Sequence, residues 1–492
     1  MKIFILFLFT FCINLNNSIG QGSFQKTYGA ALSGVAGGQQ TYDGGFIMAG
    51  NFYANHPYNP NIALIKTDPF GDTSWVRIYD FTSMDMCGYV RQTTDSGFIV
   101  TGRSVDSLNG FAELIFVFKT DKNGNLSWSK FYGGQRGYWI EQTNDGGYIL
   151  IGEDGLKVIK TDMFGDTVWT RDYQTYPQSG AIGSYIHQTH DRGYVFGGYY
   201  YTPGGMGSGA SLNKVDSLGN VIWAKHYVRT GYHLSYAMQI TSDGGFIIAG
   251  STNVDSPYED LFLIKTNSTG DTLWTRTYGT IYRERVAYVN QTNDGGYLLS
   301  GGNMDLGLLY VVRTDSDGNL LWSRYYQFGW RIFCQETSDG GCAFIGSTII
   351  KTDSNGIGCS YGTANTLVGH PNFSVYNDSV TSQSINSIVT NFPVSIGAGS
   401  SVTTICFSTG IIEPENSEIS LLISPNPFNS EIRIGNTEEG EIVIYDLSGK
   451  EILKHHTIYG ETQIKSENIS PGIYFLHYKC GKGVAKSKIL KF

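Results

Sequence analysis

Charge is scarce in this chain of 492 residues: Asp, Glu, Lys and Arg together make up 16%, against about a quarter in an ordinary globular protein. The balance is acidic, at −9, which argues against a surface that tracks phosphates and so against nucleic acid as a partner. Proline is sparse, at 12 residues. No segment of helical length carries an apolar stripe, which rules out a helical bundle. Beyond residue 13 no apolar run approaches the ~20 residues that span a bilayer, so no transmembrane segment is expected after that point. The seven cysteines show no Cys-x-x-Cys or Cys/His spacing, and no zinc site is expected. Gly-x-Ser-x-Gly, His-Glu-x-x-His and phosphate loops are absent. Neither a metal nor a cofactor is expected.

What the chain has in quantity is glycine, at 63 residues, and aromatic residues, at 14%. With so little charge, that combination suits many short strands joined by tight turns. Met1-Lys2, the apolar run 3–13 broken only by Thr10, and small residues at Ser18 and Gly20 read as a secretory signal peptide over 1–20. Its removal takes Cys12 and leaves six cysteines in an oxidising compartment. Of these, Cys359 and Cys406 bracket one segment and are the expected disulfide.

The dominant feature is a repeat written seven times, which decides the fold. A tetrad begins at Asp43, Asp95, Asp145, Asp191, Asp243, Asp294 and Asp339, as in Asp43-Gly44-Gly45-Phe46, at intervals of 45 to 52 residues. A Lys-Thr-Asp element follows each, from Lys66-Thr67-Asp68 to Lys351-Thr352-Asp353. A Trp-x-x-x-Tyr strand then follows in six cases, from Trp75–Tyr79 to Trp322–Tyr326. Each repeat therefore reads as four short strands, with Asp bonding its own downstream backbone and Gly supplying positive φ at the hairpin. Four-stranded units repeated radially predict a seven-bladed β-propeller over 21–357. The last repeat lacks its Trp-x-x-x-Tyr strand, but Phe24-Gln25-Lys26-Thr27-Tyr28-Gly29 matches Trp274 to Gly279 position for position. The N-terminal strand is thus predicted to close the last blade and remove the ring's open edges.

In that layout the Asp-Gly-Gly turns share one rim and are nearly constant, while the loops of the other rim vary. Loops on a rigid scaffold carry function. The candidate ligand-binding residues on the variable rim are Tyr53, His56, Tyr58, Tyr201, His233, Arg283, Arg285, Trp330 and Arg331, a set of aromatics, Arg and His suited to a glycan or an extracellular protein. The plainer reading is loop filler with core tyrosines. Turns such as Asp315-Ser316-Asp317-Gly318-Asn319 invite calcium, but Asp68-Pro69-Phe70-Gly71 fills the same turn with apolar residues, and six to eight oxygens are not on offer. The same element resembles the Asp-box of sialidases and related propeller glycosidases, Ser/Thr-x-Asp-x-Gly-x-x-Trp, with one residue more between Asp and Gly. The box is structural there, and that activity needs three arginines on one carboxylate and a Tyr/Glu pair. The spacing of Arg283, Arg285 and Arg331 makes no such clamp, so no catalytic residue is assigned.

Residues 359–412 hold 17 Ser or Thr and a single charged residue, Asp378. The stretch 358–415 is expected to be a small β segment or a linker. The remainder, 416–492, reads as a small β-sandwich with a Leu-Ser-Gly-Lys hairpin. It carries Pro425-Asn426-Pro427, then Tyr445-Asp446-Leu447-Ser448-Gly449-Lys450, then Pro471-Gly472-Ile473-Tyr474, and a basic end at Lys486–Lys491. In these motifs it resembles the type A C-terminal sorting domain of the type IX secretion system of Bacteroidetes. The resemblance implies export across the outer membrane, partnership with the type IX machinery and a surface sortase, and release or anchoring at the cell surface. The leading expectation is a secreted or cell-surface binding or adhesion protein rather than an enzyme. The rival is an extracellular propeller glycoside hydrolase or lyase.

Overall fold

The protein was analysed as a computed structural model. It describes residues 23–407 and 422–491 apart from short stretches, among them 29–32, 54–59, 107–111, 153–155, 175–180, 202–207, 328–331, 385–388, 391–394, 398–402, 425–430 and 446–449. The expected signal peptide lies outside the described residues. The chain divides into two compact units, 1–410 and 411–492. Both are built of antiparallel strands, with no helix among the described residues.

The first unit contains seven sheets of five strands. The fifth repeat shows how the sequence makes one. His233–Ile240, Phe246–Thr252, Asp260–Thr266 and Thr272–Gly279 pair consecutively. The middle two strands are buried along almost their whole length, as their unbroken apolar runs require. Phe24–Thr27 pairs with Thr348–Thr352, Phe24 opposite Lys351. It therefore supplies the fourth strand of the seventh sheet. The inner strands neighbour one another in chain order, Ser33–Gln40, Met84–Gln92, Gly137–Gln142, Ala181–Gln188, His233–Ile240, Glu284–Gln291 and Phe333–Glu336, and the last neighbours the first.

The repeated motifs are the joints of this arrangement. Each tetrad Asp receives the Lys or Arg of its own Lys-Thr-Asp element: Lys66, Lys119, Lys160, Lys214, Lys265, Arg313 and Lys351 reach Asp43, Asp95, Asp145, Asp191, Asp243, Asp294 and Asp339 at 2.6–2.9 Å. All seven cations are buried. A threonine two residues ahead of each Asp donates to the same carboxylate, as Thr41 does to Asp43. Burial works to raise these carboxyls, and the Lys and Thr donors outweigh it; Asp191 is held at about 2. The following residue takes positive φ in every tetrad, even where it is Ser96 or Arg192. Between sheets, the tyrosine of each Trp-x-x-x-Tyr strand donates its hydroxyl to the glycine carbonyl of the next sheet's outer turn. The pairs run from Tyr79–Gly124 at 2.6 Å to Tyr326–Gly356 at 2.6 Å. Tyr28 of the seventh sheet does the same to Gly71 of the first at 2.7 Å. Trp75, Trp128, Trp169, Trp223 and Trp274 each meet the next sheet's aromatic edge-on, as Trp274 meets Tyr297 at 5.8 Å, and Phe24 stands in that place against Phe46 at 6.1 Å.

The fifth strands differ from expectation. Four strands per sheet were predicted, with 358–415 apart from them. Instead, short strands beginning at Tyr361, Leu367, Ser374, Thr381, Val389, Ser395 and Thr403 each pair with the outer strand of a different sheet. They run in reverse, from the sixth sheet down to the first, and then onto Phe24–Thr27 of the seventh. The segment is a belt covering every outer edge. Its composition fits the place: Ser and Thr satisfy a half-exposed edge without burying charge.

The second unit has a three-stranded sheet, Leu422–Ser424, Glu431–Thr437 and Gly460–Lys465, and a four-stranded sheet, Glu451–Thr457, Gly440–Tyr445, Gly472–Cys480 and Gly483–Lys491. Ile432, Ile434 and Ile464 of the first share one buried cluster with Ile442, Ile444, Leu476 and Ile489 of the second.

Candidate functional site

The variable rim is only partly described. His56, Tyr58, Trp330 and Arg331 lie outside the described residues, and Tyr201 is described in backbone alone, as the last residue of Tyr194–Tyr201. Tyr53 is half-buried just after Phe46–Phe52. Arg283 and Arg285 are exposed. Arg283 places Nε 3.0 Å and Nη2 2.8 Å from Asp305, and Arg285 grips Glu259 through Nε at 2.5 Å and Nη2 at 3.1 Å. Near them the fourth to sixth sheets bring Tyr199 and Tyr236 to 5.9 Å and leave Tyr258 exposed and Tyr282 half-exposed.

His233 does not belong to this surface. It is wholly buried, edge-on to Phe262 and to Phe373 of the belt at 5.1 Å. The loop reading failed because the belt roofs this position. Its neighbour in the sixth sheet, Glu284, is also buried. Its Oε1 accepts from Thr280 Oγ1 and from Asn303 Nδ2, the latter at 3.0 Å. Burial pushes its carboxyl up to about 7, against the Thr280 hydrogen bonds and with the help of Asp260. A carboxylate poised near neutrality beside a second acid suggests a general acid. Here, however, its oxygens are turned into Thr280, in the connection just before its strand, and Asn303 of its own sheet.

A different cluster sits where the inner strands meet, and it was missed from the sequence. Three residues before the end of the inner strands, rings from four sheets converge. Tyr89 stacks on Trp139 at 4.0 Å, Trp139 lies 6.0 Å from Tyr288, and Phe333 closes on Tyr89 at 5.5 Å and on Tyr288 at 5.1 Å. Gly37 and Ala237 hold the same position in the first and fifth sheets and leave room for these rings; a Cβ on Gly37 would come within 2.6 Å of the Val90 amide nitrogen. Two residues on, towards the Asp-Gly-Gly turns, stands a polar tier: Gln39, Arg91, Glu141, His187, Gln239, Asn290 and Gln335. Several of these tie sheet to sheet. Gln39 Oε1 accepts from the Gln92 amide at 3.1 Å, and Gln335 Oε1 from the Gln40 amide at 3.0 Å. Arg91 lies 5.5 Å from the ring centres of both Tyr89 and Trp139, within cation–π range. It opens with Gln39 and Glu141 onto a cavity of about 230 Å³ near Tyr42 and Thr94. The signal was one column of the repeat that changes chemistry while its neighbours stay constant. Among the described residues no cluster of His, Cys, Asp and Glu is arranged to hold a metal ion.

In the second unit, Gly472 opens the strand Gly472–Cys480. Tyr474 is buried and donates its hydroxyl to the Ser470 carbonyl at 2.7 Å. Pro425, Asn426, Pro427, Asp446 and Gly449 lie outside the described residues.

These features define an all-β chain with an export module at its end. Residues 422–491 match the secretion system C-terminal sorting domain. The protein is thus a type IX-sorted protein, secreted or held at the outer-membrane surface, and it engages the type IX secretion machinery. No curated protein matches the chain. Among solved structures, similarity extends to PorZ of Porphyromonas gingivalis, a surface component of the type IX secretion system, at 10% identity and TM-score 0.37, over 91% of this chain and 58% of that one. It extends also to the extracellular domain of BT4673 from B. thetaiotaomicron, at 9% identity and TM-score 0.42, over 97% and 59%. A protein of unknown function from Bacteroides caccae shares 12% identity at TM-score 0.36, over 56% and 92%. The chain therefore spans less than two thirds of the length of the first and second of these.

Proposed function

We infer that the first unit is a seven-bladed β-propeller, closed by the mature N-terminal strand, which binds a glycan or an extracellular protein through its variable rim. The cyclic order of the inner strands and the Tyr28–Gly71 hydrogen bond across the seam support the ring. The observation that carries the binding reading is the rim of the fourth to sixth sheets. Half-exposed tyrosines stand there beside Arg283 and Arg285, whose guanidinium groups are already fixed by Asp305 and Glu259. Pre-set aromatic and arginine groups lose little entropy on contact, which is why such residues anchor recognition surfaces. The hydrolase reading is weaker, because it needs two carboxyls facing one opening about 5–10 Å apart, whereas Glu284 faces inward.

The test is a screen of the chain from Gln21 to Phe492 against glycan and extracellular-matrix arrays. It is followed by titration of the best ligand against the Tyr53→Ala, Tyr58→Ala, Trp330→Ala triple variant and against Tyr258→Ala, Tyr282→Ala. Losses of about tenfold or more, as expected for aromatic anchors, support this face. Unaltered affinity in both variants removes it.

A further inference from the structure

We propose that the axial depression on the opposite rim, among the Asp-Gly-Gly turns, binds a small monocarboxylate on the guanidinium of Arg91. Three observations lead there, none of them resting on the variable-rim reading. The first is that no carboxylate of the described residues lies within 4.0 Å of Arg91. Most arginines of the repeats are paired or turned to backbone carbonyls, whereas this one is held over two aromatic faces, beside the Tyr288 hydroxyl, and lines a cavity of about 230 Å³. The planar fork matches a carboxylate with two parallel N–H donors.

The second observation concerns Glu141, the acid in the same wall. Its Oε2 lies 3.0 Å from His187 Nδ1, and its Oε1 accepts from the Gln188 amide. His187 Nε2 lies 3.0 Å from the Met238 carbonyl. Glu141 is thus committed to His187 and to the Gln188 amide rather than to Arg91, and the guanidinium is the cationic group that lines the cavity.

The third is donors left over. The indole Nε1 of Trp139, buried in the tier below, meets no acceptor. The amide nitrogen of Gln39 makes one long contact, 3.4 Å, to the Gln40 carbonyl. One donor without an acceptor and one weakly held, beside an arginine with no carboxylate partner, suit an anionic acceptor group. The volume suits one sugar ring or one amino acid. An acidic monosaccharide and an amino-acid carboxylate share this chemistry, and the experiment separates them.

The probes are D-galacturonate and N-acetylglycinate, with galactose and N-acetylglycinamide as neutral counterparts. Binding is followed by calorimetry on the chain from Gln21 to Phe492 at concentrations to about 50 mM. Saturable binding of at least one carboxylate, and of neither neutral counterpart, is the expected result; which of the two binds identifies the source. Arg91→Gln is expected to weaken it tenfold or more. Thr94→Trp, on an exposed turn residue at the cavity mouth, is expected to block it without disturbing the aromatic tier. Equal binding of the neutral compounds, no carboxylate binding at any concentration, or full binding by both variants overturns the proposal.

Discussion

Glu284 sets a pH dependence that can be worked out from its surroundings. Its ordinary value of 4.5 is raised to about 7 by burial. A raised carboxyl means that the folded protein holds a proton the unfolded chain has released. The stabilising contribution is therefore complete below about pH 4.5 and lost as the pH climbs through about 7. At pH 8 the fold carries an ionised carboxylate among Thr280, Asn303 and Tyr325. Glu284→Gln keeps an acceptor for Thr280 and Asn303 and cannot ionise. Thermal unfolding from pH 5 to 8 is expected to flatten in the variant relative to the parent, which loses on the order of 1–2 kcal/mol over that range once solvent screening is allowed for. Parallel curves for the two proteins would assign the dependence to another group. From the sequence, Glu284 was one acid among many between two arginines of interest. What singles it out is contact with residues on the next strand, which no local pattern encodes.

Among the elements, the belt was the least legible in the sequence, and the reason is physical. Strands of the second and third positions are mostly apolar and buried, as Phe246–Thr252 and Asp260–Thr266 are, so burial announces them. The belt's strands have two to five residues and take their hydrogen bonds from strands 35 to 383 residues earlier in the chain. Local pattern gave β structure but no partner. By contrast, the Asp-Gly-Gly, Lys-Thr-Asp and Trp-x-x-x-Tyr motifs were legible because each recurs along the chain, the first two seven times and the third six. The belt also explains the cysteines. Cys359 is disulfide-bonded, and Cys87, Cys334, Cys342 and Cys480 are free. Cys406 occupies the belt's last strand, opposite Gln25, while the Cys359 sulfur lies 3.9 Å from the Ser23 carbonyl. Both ends of the belt thus reach the same N-terminal strand, and a Cys359–Cys406 bond would fasten the belt into a hoop. A loop of that length is worth about 4 kcal/mol in the chain-entropy view. Cys359→Ser is expected to lower the Tm by several degrees, and reduction of the parent to lower it equally. Peptide mapping without reductant should recover the linked pair. An alkylatable Cys406 in the untreated protein would refute the clasp.

At the scale of the whole first unit, everything converges on one seam. Among the described residues, the seventh sheet alone is assembled from three separated parts of the chain: Phe333–Thr352, Phe24–Thr27 and Thr403–Phe407. The N-terminal strand carries several kinds of bond across it. Phe24 and Tyr28 are buried to 1% exposure, Tyr28 holds the Gly71 carbonyl, and Lys26, itself buried, pairs with Asp72 of the first sheet at 2.6 Å. Removing residues 21–30 therefore does more than shorten an edge. It leaves one edge of the Thr348–Thr352 strand unpaired, strips the belt's last strand of its partner, and opens two aromatic sites of the kind whose truncation alone costs about 3–5 kcal/mol each. A stack of independent sheets would lose one strand and melt almost unchanged, since each unit in a linear array leans only on its neighbours. A closed ring loses the contact that joins its last sheet to its first. The truncated chain is expected to unfold at a Tm lower by well over 10 °C, or to accumulate as an open, protease-sensitive form. Phe24→Ala with Tyr28→Ala should reproduce much of that loss at full length, which separates the role of these side chains from that of the backbone strand. If the truncation melts with the parent, the seam is not a closure, and the seven sheets must be held by their inner strands alone.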